Sequence, residues 1–147
     1  MSNDLPCWYR VGVKAVIIKN GTVLLAKEGS NFWDLPGGGL EHDEDISSGL
    51  SREASEELNA EITSHSKTPL YVGKSYDPVN KRPVIVLYFT AGLVSEDFTF
   101  GESVTEIEYK EISTLKADIF EPYIRPYFQE LLEILRQEGR TYADTQN

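Results

Sequence analysis

The sequence predicts an α/β protein in which a mixed β-sheet lies between helices. The predicted elements follow the order strands, helix, strands, helix, which favours a sheet that is covered on both faces. The chain has 147 residues, of which 40% are hydrophobic and 26% are charged. This size and composition are typical of one globular domain, so we expect residues 1–147 to form a single domain.

The first half of the chain combines a hairpin with one helix. Alternating and continuous apolar residues indicate strands, and an Asn-Gly pair indicates a tight turn between two of them. The predicted elements are a strand at 11–18, a turn at Asn20–Gly21, a strand at 23–27, a short strand at 32–35 that Pro36 and three glycines end, and a helix from about Asp45 to Leu58.

The second half repeats the pattern of strands followed by a helix. Pro126 suits the first turn of the last helix, and leucines at helical spacing form its apolar face. The predicted elements are one or two strands at 61–76, a turn at 77–80, strands at 84–94 and 105–112, and a helix to about Gln137, followed by a polar tail that we expect to fray after Gly139.

The charge balance narrows the classes of partner. The chain has 14 Lys and Arg against 24 Asp and Glu, a net charge of −10. Such a chain should not attract nucleic acid or an anionic membrane. The first residues lack a signal-peptide pattern, no apolar run is long enough to cross a bilayer, and the single cysteine, Cys7, agrees with a reducing compartment. We therefore expect a cytoplasmic protein.

The first predicted helix carries an unusual group of acids. Glu53, Glu56 and Glu57 are spaced i, i+3 and i+4, so they point in one direction. At about 100° per residue that direction is roughly 80° from the helix's apolar stripe, whereas an ordinary solvated face would lie near 180°. Carboxylates beside a buried face repel one another, and a bound divalent cation would remove this cost. A Glu-rich helix that is merely solvated is the alternative.

The spacing of these residues resembles the Nudix box. From Gly38, five residues lead to Glu44 and seven more lead to Arg52–Glu53, followed by Ala54, Ser55, Glu56–Glu57, Leu58, Asn59 and Ala60. The sequence departs from the family pattern at Asn59, where glycine is usual, and at alanines that replace larger aliphatic residues. Asparagine also tolerates the left-handed conformation of a helix C-cap. The lead-in at 32–36 and the order of elements also resemble this family.

The resemblance implies an α/β/α sandwich that hydrolyses a nucleoside diphosphate linked to another moiety, with Mg²⁺ as cofactor and Mn²⁺ as a substitute. By family match, Glu56, Glu57 and the Gly37 carbonyl would hold the metal. Glu53 would act as a further ligand or as the general base. By the same family match, Arg52 would orient Glu53. Glu44 would brace the loop or support Arg52.

A further acid from a later loop completes the site in many members of this family. Glu102 is the best positional match, and Glu96, Asp97 and Glu106 are the alternatives. The candidate substrate-binding residues are Gly38, Gly39, Tyr76 and Arg82. The position of Tyr76 favours a nucleoside triphosphate or dinucleoside polyphosphate over an ADP-ribose-type substrate.

Two other classes of function stay open at this point. Nudix-like domains also serve as non-catalytic nucleotide-binding sensors, although such domains often lose the box glutamates that this chain retains. A structural interaction protein would leave the arrangement of acids unexplained. The sequence does not decide between a monomer and a homodimer.

Overall fold

The computed structural model describes residues 6–101 and 103–146. It confirms the α/β class: two sheets lie between helix α1 (Ile46–Leu58) and helix α2 (Phe128–Gln146). The strands are β1 (Arg10–Val16), β2 (Ile18–Lys19), β3 (Thr22–Glu28), β4 (Trp33–Asp34), β5 (Gly37–Gly39), β6 (Ile62–His65), β7 (Tyr71–Asp77), β8 (Arg82–Leu93) and β9 (Val104–Glu111). Within the described residues, no helix is long and apolar enough to cross a membrane.

The larger sheet is mixed and positions the glycine-rich segment. Its order is β5-β1-β8-β6, with β7 also paired to the long strand β8. Strands β1 and β8 are parallel, whereas β5 pairs with β1 in the antiparallel sense. The second sheet has the order β2-β3-β4, and β9 pairs with β3.

The glycine triplet forms an edge strand, which the sequence did not predict. Glycine is depleted in strands because it has no side chain to pack. Here the pairing of Gly38 with Val13 of β1 decides the conformation. At Gly37 the backbone has φ +141°, and a Cβ atom would lie 2.8 Å from the Cα of Lys14. Only glycine suits this position.

The core has one part on each side of the sheets, as a three-layer sandwich requires. Alternate residues of β1 face opposite sides. Val13 and Ala15 pack with Leu50 and Leu58 of α1. Val16 instead packs in the cluster that includes the buried leucines of α2, Leu131, Leu132 and Leu135. Lys14 lies between Val13 and Ala15 in the sequence, so it faces the side opposite α1.

Helix α1 has the ends that its sequence predicts. The Asp45 side chain accepts a hydrogen bond of 2.8 Å from the Ser48 amide at the N-cap. Asn59 adopts the left-handed conformation, with φ 49° and ψ 39°. Helix α2 extends to Gln146, so the predicted end near Gln137 is wrong. A glycine inside a helix costs only about 1 kcal/mol, which the apolar face of α2 can offset.

Candidate active site

The glycine strand β5 lies directly against the acidic side of α1. A Cβ atom on Gly38 would lie 2.7 Å from the Cδ of Glu53, so the Glu53 carboxyl group occupies the space above this glycine. The Gly37 amide faces both carboxylate oxygens of Glu57, at 3.4 and 3.3 Å. The structure therefore brings together four of the residues that the box implies.

Glu57 is the most buried of the three helix acids. The whole residue is 4% exposed. Burial raises the pKa of its carboxyl group well above the ordinary value; the nearby charges of Glu28 and Glu53 add to the increase, and Lys14 opposes it. The site thus holds more negative charge than its buried surroundings favour.

Arg52 is the centre of an ion-pair network around the start of α1. Its guanidinium group donates to both oxygens of Glu44, at 2.7 and 2.9 Å, and to the Gly39 carbonyl at 3.0 Å. It also donates to Glu53 at 2.9 Å and to Glu56 at 3.2 Å. The hydrogen bond from Arg52 lowers the pKa of Glu44 to about 2. These contacts orient Glu53 and connect it to the glycine strand.

Glu56 lines an acidic cavity at the surface and does not point toward the core. Its side chain is 57% exposed, so the expected burial beside the apolar stripe holds for Glu57 but not for Glu56. A cavity of about 430 Å³ is lined by Glu28, Glu56 and Glu57 together with residues of the loop before β9. Glu28 was not singled out in the sequence, because no local pattern joins the end of β3 to α1.

The loop before β9 packs on the C-terminal end of α1, as the proposed loop acid requires. The Gly101 amide donates to the Glu57 carbonyl at 2.8 Å, and the Asn59 side chain donates to the Thr99 hydroxyl at 2.7 Å. Glu102 itself lies outside the described residues. Among the alternatives, Glu96 is paired with Lys19 at 2.5 Å, and Glu106 lies 3.5 Å from Lys27.

A cavity of about 540 Å³ opens on the other side of the glycine strand. Gly38 and Gly39 line it, and three cationic side chains do so as well: Arg10, Lys14 and Arg82. Aromatic and apolar residues, including Phe32, Tyr123, Val84 and Val86, form much of the remaining wall. Two acidic residues, Asp77 and Glu121, line it too, so the cavity combines three cations and two carboxylates with apolar surface.

Tyr76 lies in an adjoining cavity, apart from the glycine strand. It is 53% exposed and lines a space with Tyr9 and Pro83. The two cavities share Pro78, Pro122 and Tyr123. The structure therefore places Arg82 with the glycines but separates Tyr76 from them.

The carboxylates fit a divalent cation by their chemistry. Glu53, Glu56, Glu57 and the Gly37 carbonyl offer the hard oxygen donors that Mg²⁺ and Mn²⁺ prefer. A bound cation would favour the ionised form of the buried Glu57 carboxyl group. Across residues 6–101 and 103–146, no three His, Cys, Asp or Glu side chains are already arranged as a metal site. The Gly37 carbonyl accepts a hydrogen bond of 3.0 Å from Lys14, which leaves its second lone pair available.

Comparisons with known proteins establish the family. A family model described as the NUDIX domain matches residues 8–131. The chain therefore belongs to the Nudix family and is a Nudix hydrolase, as the box spacing predicted. Members of this family generally use a divalent metal and act on nucleotide-type small molecules. No curated protein sequence matches the chain significantly.

Solved structures confirm the fold. A MutT protein from Methanosarcina mazei Go1 has a TM-score of 0.70 and 23% identity, over 92% of this chain and 99% of that one. A NUDIX hydrolase from Nitrosomonas europaea has a TM-score of 0.72 and 21% identity, over 90% and 91%. An ADP-ribose pyrophosphatase from Streptococcus suis 89-1591 has a TM-score of 0.68 and 16% identity, over 89% and 92%.

Proposed function

We propose that this chain is a cytoplasmic Mg²⁺-dependent pyrophosphohydrolase that cleaves a nucleoside diphosphate linked to another moiety. The observation that carries the proposal is the position of the glycine strand, between the acids of α1 and a cavity lined by Arg10, Lys14 and Arg82. An acidic protein attracts phosphates poorly over long distances. Near the acids of α1, the cations Arg10, Lys14 and Arg82 provide the attraction for phosphate that the net charge of the chain does not.

The metal would be held by Glu53, Glu56, Glu57 and the Gly37 carbonyl, with Mn²⁺ as a substitute. When bound, a divalent ion neutralises the diphosphate and lowers the pKa of water. Arg52 keeps the Glu53 carboxylate in one orientation through its 2.9 Å contact. Glu53 or Glu102 then accepts the proton of the attacking water.

The diphosphate would lie along the glycine strand, where Gly38 and Gly39 allow close approach to the backbone. Arg82 lines the same cavity and would bind a phosphate group. Tyr76, in the adjoining cavity, would contact the moiety beyond the diphosphate. The position of Tyr76 along the sequence after the box is the basis on which we favour a nucleoside triphosphate or dinucleoside polyphosphate over an ADP-ribose-type substrate.

A non-catalytic sensor of the same fold is the competing function. The complete set of box acids supports turnover, because a binding module does not need it. The test is phosphate or nucleotide release from a panel of nucleoside triphosphates, dinucleoside polyphosphates and ADP-ribose with Mg²⁺. We expect turnover of at least one triphosphate or dinucleotide. Saturable binding without turnover of any compound would favour the sensor.

A further inference from the structure

Lys14 is a buried cation that is not among the candidate residues predicted from the sequence. It lies in the middle of β1, in a run of apolar residues, and its side chain is only 9% exposed. Lysine is almost never fully buried unless it is paired. Here the ammonium group donates to Asp34 at 3.1 Å and to the Gly37 carbonyl at 3.0 Å.

The partner of Lys14 is itself held in place. One oxygen of Asp34 accepts the Leu35 amide at 2.7 Å, and the other accepts the Tyr123 hydroxyl at 2.5 Å. The ion pair with Asp34 therefore holds the ammonium group at a fixed position, although lysine side chains are usually flexible.

The Lys14 ammonium group has one more N–H donor than the hydrogen bonds it makes within the described residues, and it lines a cavity. Within the described part of the chain it makes two hydrogen bonds, and an ammonium group has three donors. Lys14 lines the cavity of about 540 Å³ with Gly38 and Gly39. A ligand that enters this cavity along the glycine strand therefore passes Lys14.

The other two cations of the cavity have different surroundings. Arg10 donates to the Leu40 carbonyl, and Arg82 interacts with Asp77. Lys14 alone among the three contacts Gly37, whose amide meets the buried Glu57 carboxylate. Through this one residue Lys14 is connected to the acids of α1, where the proposed reaction takes place.

We propose that Lys14 is a substrate-binding residue whose ammonium group donates a hydrogen bond to an oxygen of the substrate's diphosphate. This inference rests on the proposed function and adds a residue to it. The alternative is that Lys14 only balances the charges of Asp34 and Glu57. A buried ion pair is a poor source of stability compared with apolar residues of similar size, so charge balance alone does not account for a lysine here.

The test measures binding separately from turnover. The probe is imidodiphosphate, a diphosphate whose bridging nitrogen resists hydrolysis, titrated calorimetrically with Mg²⁺ present. We expect Lys14→Met to weaken binding at least about tenfold, as for a lost hydrogen bond to a charged group. Lys110→Met is the matched control, because Lys110 is half-buried and lies outside the cavity. Its ammonium nitrogen is 4.6 Å from the centre of the Trp33 ring. This variant should bind as wild type does.

A second pair of proteins controls for misfolding, because Lys14→Met alone leaves Asp34 buried without its counter-ion. Lys14→Met combined with Asp34→Asn removes both charges and is compared with Asp34→Asn alone. We expect the same loss of about tenfold between these two proteins. Equal binding within each folded pair, or no saturable binding by wild type, would overturn the inference.

The two proposals fail in different ways. If wild type hydrolyses nucleotides while the Lys14 variants bind imidodiphosphate normally, the inference is wrong and the proposed function stands. If wild type turns over no nucleotide while the Lys14 variants lose imidodiphosphate binding, the inference stands and the proposed function is wrong.

Discussion

Arg52 and Glu44 are joined by two hydrogen bonds, from Nε to Oε2 at 2.7 Å and from Nη2 to Oε1 at 2.9 Å. A paired arrangement of this kind fixes both planes and is stronger than a single contact. The same guanidinium group contacts Glu53, so Glu44 acts on the site through Arg52. This relationship leads to the first prediction.

Glu44→Gln should reduce stability in a pH-dependent way. Arg52 lowers the folded-state pKa of Glu44 to about 2, whereas the pKa of a glutamate in an unfolded chain is about 4.3. The carboxylate therefore stabilises the fold fully above about pH 4.3, and this contribution disappears as the pH falls toward 2. In denaturant titrations, the difference between wild type and Glu44→Gln should be largest at pH 7 and shrink with acid.

Glu41→Gln is the control for this prediction. The Glu41 side chain is 65% exposed and lies 3.8 Å from Arg52, so its removal should change stability little at any pH. A difference between wild type and Glu44→Gln that stays constant from pH 7 to pH 3 would show that the Arg52–Glu44 pair is not its source.

Gly38→Ala should impair turnover while the fold survives. The new methyl group would meet the Glu53 carboxyl group, with the Cδ atom at 2.7 Å, and this flexible side chain must move. A displacement of about 1 Å at a reacting group can cost about 100-fold in rate. We expect kcat to fall between about tenfold and 100-fold, with an unchanged far-UV circular dichroism spectrum. Gly139→Ala, remote from the site, should keep the wild-type kcat.

Glu56→Gln and Glu57→Gln should each lower turnover at least about 100-fold, since each removes a charged metal ligand. The variants should still fold. Glu57→Gln should match or exceed the metal-free stability of wild type, because burial and Glu53 disfavour the ionised carboxylate that the neutral amide replaces. Thermal denaturation in EDTA and kinetics with Mg²⁺ measure the two effects. Glu133→Gln on α2 is the control, and near-wild-type rates in both site variants would place the chemistry elsewhere.

The loop acid is tested by four substitutions. Glu102→Gln should lower kcat far more than it raises KM, because a general base acts in the transition state. Glu96→Gln and Asp97→Asn should change little, in keeping with the pairing of Glu96 with Lys19. If all four, including Glu106→Gln, leave kcat within about threefold of wild type, Glu53 becomes the preferred base. If kcat falls only in Glu106→Gln, this segment still supplies the general base, but the base is Glu106 rather than Glu102.

The local parts of the site could be predicted from the sequence, because helix spacing alone determines their geometry. The common direction of Glu53 and Glu57 and the cap at Asn59 follow from residues close together in the chain. The strand conformation of the glycine triplet could not be predicted, since it depends on pairing with β1, more than 20 residues earlier by the registers observed.

The long-range contacts were also beyond prediction. Lys14 and Asp34 stand 20 residues apart, and Ser103 donates to Glu28 at 2.7 Å across 75 residues. In the sequence, Lys14 is a lone polar residue in an apolar strand. That pattern is the only signal that could have found it, because a charge at a buried strand position requires a partner.

The central claim is that the acids of α1 hydrolyse a diphosphate with a divalent metal. The direct measurement is the rate of nucleotide hydrolysis by wild type while Mg²⁺ is removed with EDTA and then restored, with metal content verified at each step. The account predicts that activity disappears in EDTA and returns with Mg²⁺ or Mn²⁺, and that Glu57→Gln stays inactive throughout. Full turnover by wild type with no detectable metal would contradict it.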